Sequence, residues 1–181
     1  MFARNRWQTG PDGRRGHAVG IRAAGLIASA AFAACMASGA AAQGEVAPQC
    51  DPNVVYIQKH DSSDVPLRFL VSVADTNETR AQGLMFVPQM PDMAGMLFVY
   101  DQPETPYFWM RNTLIPLDMV FASPEGVVTH IHPNAIPRDE TAIPGGPNVQ
   151  FVLEINGGQA AALGLSEGDR MIHPSIGESC N

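Results

Sequence analysis

Phe108-Trp109-Met110-Arg111-Asn112-Thr113 is followed, after one residue, by Ile115-Pro116-Leu117-Asp118-Met119-Val120-Phe121-Ala122. Alternation along the second stretch puts its large apolar side chains on one face of a strand and Asp118 on the other. The first stretch combines an aromatic pair, a thioether, a guanidinium, an amide and a hydroxyl. It matches no catalytic or metal-binding signature. The two stretches therefore predict strands and a polar pocket more readily than a reaction.

Short segments rich in β-branched and aromatic residues surround these stretches, and Pro, Gly, Asn and Asp mark the breaks between them. Residues 67–74 alternate best, since Leu67, Phe69, Val71 and Val73 fall on one face. The other predicted strands are 54–57, 95–100, 107–111, 117–122, 127–132, 149–156 and 170–173.

Two short helices are predicted. Asp75 and Glu78 fit a capping box, and the helix that they begin ends before Pro88. An Ala-rich helix covers residues 159–163. Short strands in meander-like order with two short helices favour an α+β, mostly β fold over alternating βαβ units. We therefore expect a small antiparallel barrel-like sheet.

The first 42 residues have the composition of a secretory signal. Five arginines precede a small-residue apolar run at 23–34, and Ala40-Ala41-Ala42 supplies an A-x-A cleavage site. The run is too short for a comfortable membrane span. We predict export to the periplasm or cell envelope, leaving a lead-in at 43–64 with the first short strand, and a single domain at 65–181.

Cys35 offers an alternative end to the signal. Phe32-Ala33-Ala34-Cys35 resembles a lipobox with Phe in place of the usual Leu, which would give a lipid anchor at Cys35. The later A-x-A site accounts better for residues 36–42.

Removal of the signal makes the chain more acidic. The full chain has 11 basic and 18 acidic residues, and the signal contains five arginines and Asp12. The mature chain therefore keeps 6 basic and 17 acidic residues, so its net charge changes from −7 to about −11. A nucleic-acid partner is not expected, because phosphate binding needs a basic surface. No transmembrane segment is expected in the mature chain.

Two cysteines remain near the ends of the mature chain. In an oxidising compartment we predict a Cys50–Cys180 disulfide, worth about 3–5 kcal/mol on the chain-entropy estimate. The alternative is free or intermolecular thiols.

Trp109 is the aromatic centre of the predicted cleft. A small molecule, a glycan or a peptide could bind there, with residues 133–147 as a flap. The candidate binding residues are Arg80, Trp109, Arg111, Asn112, Thr113, Asp118 and Glu154.

Asp118 and Glu154 also permit a hydrolase. Alternation predicts that both carboxylates lie on one polar face, where they could support glycosidic acid/base chemistry. The structural alternative, which we favour, is that each pairs with an arginine or caps backbone amides. No catalytic residue is therefore assigned.

A metal carrier is a further alternative. Met90, Met93 and Met96 are regularly spaced thioethers that could bind Cu(I), and His130 and His132 could share a strand face with His173. Methionine is more often a core filler, and the histidine spacing is loose. We predict neither a metal site nor a cofactor.

Four ordered blocks of the chain resemble the domain of unknown function 192 family. The block with the Trp-Met-x-Asn-Thr pattern is the most specific of the four. They are Arg80-Ala81-Gln82-Gly83-Leu84-Met85, Gly95-Met96-Leu97-Phe98-Val99-Tyr100, the stretch Phe108–Asp118, and Val152-Leu153-Glu154-Ile155-Asn156-Gly157-Gly158 with Gly168-Asp169.

The resemblance implies a small, largely β, barrel-like prokaryotic domain, often behind a signal sequence, with no established reaction or cofactor. Phe86 stands where the family usually has a basic residue, and Met90-Pro91 where Leu-Pro is common. The carried-over positions are Arg80, Gly83, Met85, Gly95, Met96, Trp109, Met110, Asn112, Thr113, Asp118, Glu154 and Gly157.

Overall fold

The structure is a computed structural model that describes residues 50–177. The predicted signal, Cys35 and Cys180 lie outside this range, so cleavage, lipidation and the disulfide stay predictions. The described elements are the strands β1 (Val54–Gln58), β2 (Leu67–Ala74), β3 (Ala94–Glu104), β4 (Tyr107–Phe108), β5 (Leu117–Ala122), β6 (Val128–Ala135), β7 (Ile143–Pro144), β8 (Val149–Asn156) and β9 (Arg170–Ile172), and the helices α1 (Asn77–Gln82) and α2 (Gln159–Leu163).

Seven of the strands form one curled sheet in the order β6-β5-β8-β3-β2-β1-β9, and β4 pairs with β7 in a separate ribbon. The predicted α+β, mostly β, barrel-like class is confirmed. One pairing differs from the expected antiparallel pattern, because β2 and β3 run parallel. A parallel pair needs a crossover connection, and α1 with the loop after it supplies one.

The two edges of the curled sheet meet. Val127, just before β6, forms a β-bridge with Arg170 of β9. The Val128 amide donates to the Asp169 carbonyl at 2.8 Å, and the Met171 amide donates to the Gly126 carbonyl at 2.8 Å. Backbone groups that would otherwise be unpaired at two sheet edges therefore bond each other.

The central strands of the sheet, β5, β8 and the first half of β3, are buried on both faces. An inner core takes side chains from all seven strands, including Ile57, Phe69 and Leu153. An outer core lies on the opposite face, where the segments after α1 and after β4 cover Phe98 and Met119. Every residue of β5 is buried in consequence. Such strands have no solvent face, so polar side chains along them need partners or a cavity.

The first helix begins one residue later than predicted. Thr76, rather than Asp75, is the N-cap, and its capping box is completed by Thr79. The side chain of Thr76 accepts a bond from the Thr79 amide at 3.2 Å, and the Thr79 hydroxyl oxygen accepts one from the Thr76 amide at 3.0 Å. The helix ends at Gly83, whose φ of 49° favours glycine.

Residues 133–147 are not the free loop that the sequence predicted. Strand β6 extends through Ala135 and β7 occupies residues 143–144. The part between them is bonded to the Trp109 segment, since the Met110 amide donates to the Asp139 carbonyl at 2.8 Å and the Arg138 amide donates to the Met110 carbonyl at 3.0 Å. The segment supports its neighbour rather than acting as an unattached flap.

Asp118 is fully buried on the inner face of β5. Its Oδ1 accepts bonds from the Asn134 amide at 2.8 Å and the Gly158 amide at 2.9 Å, and its Oδ2 accepts one from the Ala160 amide at 2.7 Å. Gly158, the N-cap of α2, has no side chain to cap the helix. Asp118 therefore supplies the cap from another strand and joins β5, β6 and α2.

Replacement of Asp118 by Ala is expected to lower the free energy of unfolding by about 2–4 kcal/mol, because one buried and two part-buried N–H groups lose their acceptor. Asp118→Asn should lie between Ala and wild type, since one oxygen remains. Urea unfolding measures both, with Asp92→Asn at an exposed position as the control. Equal stability of Asp118→Ala and wild type would contradict the capping role.

Candidate functional site

Asp118 and Glu154 lie on opposite faces of the sheet. The β5–β8 register places Asp118 beside Ile155 and Met119 beside Glu154. Ile155 belongs to the inner core and Met119 to the outer core. The prediction that both carboxylates share one polar face is therefore wrong. Two carboxylates separated by a sheet cannot flank one glycosidic bond, which removes the basis for the hydrolase alternative.

Glu154 instead lies in a pocket on the outer face, which we call the Trp109 pocket. Its volume is about 270 Å³. It lies where α1 and its C-terminal turn approach β3, β4 and β8. The residues that line it are Arg80, Ala81, Gln82, Gly83, Leu84, Met85, Phe98, Tyr100, Tyr107, Phe108, Trp109, Thr113 and Glu154.

Arg80 fixes α1 against β3. Its Nη1 donates to the carbonyls of Asp75 at 2.8 Å and Val99 at 2.7 Å, and its Nη2 donates to the side-chain oxygen of Asn77 at 2.7 Å. The guanidinium also lies 5.1 Å from the centre of the Tyr100 ring, a cation–π distance. Among residues 50–177 it has no carboxylate partner, so its positive charge is not neutralised by an ion pair.

Aromatic rings form one wall of the pocket. Tyr107 and Trp109 are 68% and 47% exposed, so both rings face solvent as well as the pocket. Behind them, Phe108 packs edge-on against Phe98 with ring centroids 5.2 Å apart. Alternation holds across this segment, because Met110 is buried in the outer core while its neighbour Trp109 is not. The wall is thus an exposed aromatic surface on a packed aromatic base.

Glu154 is 4% exposed. Its carboxyl group has no hydrogen-bond partner among the described residues. Burial therefore raises the pKa of the Glu154 carboxyl to about 8, because desolvation penalises the charged form. At neutral pH this side chain is mostly a neutral carboxylic acid at the pocket, able to donate one hydrogen bond and accept others.

Two hydroxyl groups accompany Glu154. Thr113 is 5% exposed, and its side chain has no hydrogen-bond partner within residues 50–177. The Tyr100 hydroxyl likewise has none in that range. Burial and the neighbouring Glu104 carboxylate raise the pKa of Tyr100 to about 12, so it stays protonated. The pocket therefore brings together two buried polar side chains, Glu154 and Thr113, and the partly buried Tyr100, for which the described residues provide no side-chain hydrogen bond.

The structure brings four of the seven candidate residues into the pocket, namely Arg80, Trp109, Thr113 and Glu154. Asp118 lies across the sheet. Arg111 stacks on Trp109 at 5.5 Å without lining the pocket. Asn112 is exposed at a φ of 57° and donates to the Met85 sulfur at 3.9 Å.

Sequence reasoning missed Tyr100 and Tyr107 as pocket residues. Both lie beside segments that the sequence had indicated, since Tyr100 ends the Gly95–Tyr100 block and Tyr107 directly precedes the Phe108–Asp118 stretch. The long strand β3 and its irregular pairing between Val99 and Glu104 bring Tyr100 beside α1. A twisted, bulged strand end of this kind leaves little trace in the sequence.

The methionines and histidines do not converge. Met90 and Met96 belong to the outer core, whereas Met93 packs against the inner core. His173 is buried and bonds the Pro52 carbonyl at 3.1 Å, away from His130, which stacks on Phe121. Within residues 50–177, no three His, Cys, Asp or Glu side chains are grouped to hold a metal ion. No helix in that range is long and apolar enough to cross a membrane.

Most of the described chain matches a known protein family. Residues 57–173 match the model of the DUF192 family, described as Uncharacterized ACR. No functionally curated protein matches the chain.

Two crystal structures resemble the fold. One is a protein of unknown function from Novosphingobium aromaticivorans DSM 12444, 40% identical, with a TM-score of 0.61 over 65% of this chain and 82% of that one. The other, from Sinorhizobium meliloti 1021, is described as a "putative transcription regulator" and is 34% identical, with a TM-score of 0.66 over 71% of this chain and 98% of that one.

The raised pKa of Glu154 makes stability depend on pH. The folded state holds the proton up to a pKa of about 8, whereas the unfolded chain releases it near the ordinary glutamate pKa of 4.5. The stabilising contribution is therefore complete below about pH 4.5 and is lost as the pH rises to about 8, with a slope of up to about 1.4 kcal/mol per pH unit.

Glu154→Gln should remove that slope, so its free energy of unfolding should rise relative to wild type between these pH values. Urea unfolding at several pH values measures the difference. Glu140→Gln, at an exposed position, serves as the control and should follow the wild-type curve. Parallel curves for wild type and Glu154→Gln would contradict the protonated carboxyl.

Proposed function

The chain belongs to the DUF192 family, and from that premise we propose that it is an exported envelope protein whose domain binds a small ligand in the Trp109 pocket without catalysis. The observation that carries the proposal is Glu154, a side chain 4% exposed that lines an open pocket with no protein partner within residues 50–177. Its oxygens are not among the fully enclosed unpartnered side-chain atoms of the described residues, so the carboxyl is reached from the pocket. A ligand there can bond it directly.

The composition of the pocket supports a ligand of small size. Concave sites of a few hundred Å³ that combine aromatic walls with a few convergent polar groups are typical of small-molecule binding. The volume of about 270 Å³ is at the lower end of that range. Exposed rings of Tyr107 and Trp109 offer a surface for stacking, and Thr113 with Glu154 offers hydrogen bonds at the buried end.

Binding is favoured over catalysis by the solitary carboxyl. Glu154 is the one acidic side chain among the described residues that line the pocket. Glycosidic hydrolysis uses two carboxyl groups, and nucleophilic catalysis uses a nucleophile bonded to a base. Neither Thr113 nor Tyr100 has such a base as a hydrogen-bond partner in the described part of the chain.

Export is supported by the composition of residues 1–42 and by two cysteines near the ends of the mature chain.

A role in transcription, as named for the Sinorhizobium protein, is not proposed. The mature chain has a net charge of about −11, and nucleic-acid binding relies on a basic surface.

Trp109 is the only tryptophan of the chain after residue 42, so its emission reports on the pocket. We expect at least one compound from a panel of monosaccharides, amino acids and small carboxylic acids at millimolar concentration to change the emission and raise Tm. Tyr107→Ala should weaken that binding by about tenfold, because a stacking ring is lost.

Ile136→Ala provides a matched control. Ile136 is 66% exposed, close to the 68% of Tyr107, but does not line the pocket. Its variant should bind as wild type does. No response from any compound, or equal weakening by the two variants, would count against the Trp109 pocket as a binding site.

Expression of the full chain in a bacterial host tests export. We expect a periplasmic protein whose first residue is Gln43, because the signal should be cleaved after Ala42. N-terminal sequencing and intact mass measure this. A mature chain beginning at a lipidated Cys35 would favour the alternative signal, and an uncleaved cytoplasmic chain would contradict export.

A further inference from the structure

We infer that the ligand of the Trp109 pocket is a small organic carboxylate, with its acid group at Arg80, Glu154 and Thr113 and its apolar body against the aromatic wall. This inference rests on the proposed function, because it names the ligand class for the same pocket. It depends on three features of the pocket, which are its charge, its hydrogen-bond donors and its walls.

The first feature is an unneutralised positive charge. Three of the five N–H groups of the Arg80 guanidinium bond to neutral oxygens, namely two carbonyls and the amide of Asn77. The other two have no partner within residues 50–177. The mature chain has about eleven more acidic than basic side chains, yet none of its ionised carboxylates lines this pocket. An anion is the charge type that this arrangement attracts.

The second feature is that the polar side chains of the pocket can all donate a hydrogen bond. Thr113 and Tyr100 present hydroxyl groups, and Glu154 presents a protonated carboxyl because burial raises its pKa to about 8. A ligand carboxylate accepts bonds from an acid O–H and from a guanidinium, and such charge-assisted bonds are the strong ones. A ligand ammonium is disfavoured, because it would need Glu154 to ionise and would share the pocket with the positive charge of Arg80.

The third feature is the aromatic wall. Tyr107 and Trp109 expose their rings beside the polar end of the pocket, while Phe98 and Phe108 form its base. A ligand with an apolar body next to its acid group can bury that body there. Inorganic anions would leave the wall uncovered, so the wall favours an organic acid.

The groups that face Glu154 determine the pH dependence. Arg80 of α1, Tyr100 of β3 and Tyr107 of β4 line the same pocket, and the cross-strand neighbours of Glu154 are the apolar Met96 of β3 and Met119 of β5. Glu104, exposed on β3, approaches Tyr100. When Glu154 ionises it places a like charge beside the ligand acid. Affinity should then fall by up to about tenfold per pH unit above about pH 8.

Three probes that share a ring and differ in the head group test the inference on the mature protein. They are benzoate, benzyl alcohol and benzylamine, followed by Trp109 emission and calorimetry at about pH 6 and about pH 9. We expect benzoate to bind best at the lower pH and to lose up to about tenfold in affinity at the higher pH. Benzyl alcohol should bind more weakly, and benzylamine should not bind detectably.

Variants separate the charge from the fold. Arg80→Gln should weaken benzoate by about tenfold or more, because a charged donor is lost. Arg80→Lys keeps the positive charge and should bind benzoate more tightly than Arg80→Gln does. It is also the variant to use if Arg80→Gln fails to fold.

Glu154→Gln keeps a neutral donor and should bind benzoate within about threefold of wild type, without the loss of affinity above about pH 8. Arg68→Gln, at an exposed position of β2 away from the pocket, is the control and should bind as wild type does.

The outcomes distinguish the inference from the proposed function. Preferential binding of benzylamine, or equal binding of benzyl alcohol and benzoate, overturns the carboxylate class and leaves the pocket as a binding site. Benzoate binding that is unchanged in Arg80→Gln and at high pH overturns the assigned head-group position. Absence of binding by all three probes, together with no response in the wider panel, overturns both.

Discussion

The carboxylate of Asp118, which accepts three backbone N–H bonds, is the interaction on which the rest of the structure depends. Those amides come from Asn134, Gly158 and Ala160, so one side chain joins β5, β6 and the start of α2. Two of the bonds also tie β5 to the segment that directly follows β8, at Gly158 and Ala160. A slip by one residue would turn Asp118 toward the outer core and move Glu154 away from its pocket, because strand side chains alternate between faces.

Asp118 and Glu154 show how surroundings give one functional group two roles. Both are buried in adjacent strands, at 0% and 4% exposure. Asp118 accepts three backbone hydrogen bonds, and its role is structural. Glu154 has none within residues 50–177, and its raised pKa follows from that lack of partners. Side chains whose burial shifts the pKa and destabilises the fold locally are found more often at functional sites than elsewhere in a protein.

Much of the fold could be predicted from the sequence. The bounds of β2, β5, β8 and α2 agree with the pattern, because alternation and glycine stops are local signals. The faces could not be predicted in the same way. Sorting β5 and β8 into an apolar and a polar face assumed that one face meets water, whereas both strands are buried on both faces. Which residue of β8 lies beside Asp118 is a matter of register between distant segments, and no single strand carries that information.

The pairing of β1 with β9 has a consequence for how the chain is made. Strand β1 lies near the start of the described residues and β9 near their end, and the register joins Tyr56 to Ile172. A chain still being translated lacks β9, so β1 has no outer neighbour and the two edges of the sheet stay apart. Contacts between such distant segments form late, because closing a long loop costs entropy before the contact forms. The sheet can therefore close only after β9 has been synthesised, which makes the β1–β9 pairing one of the last steps of folding.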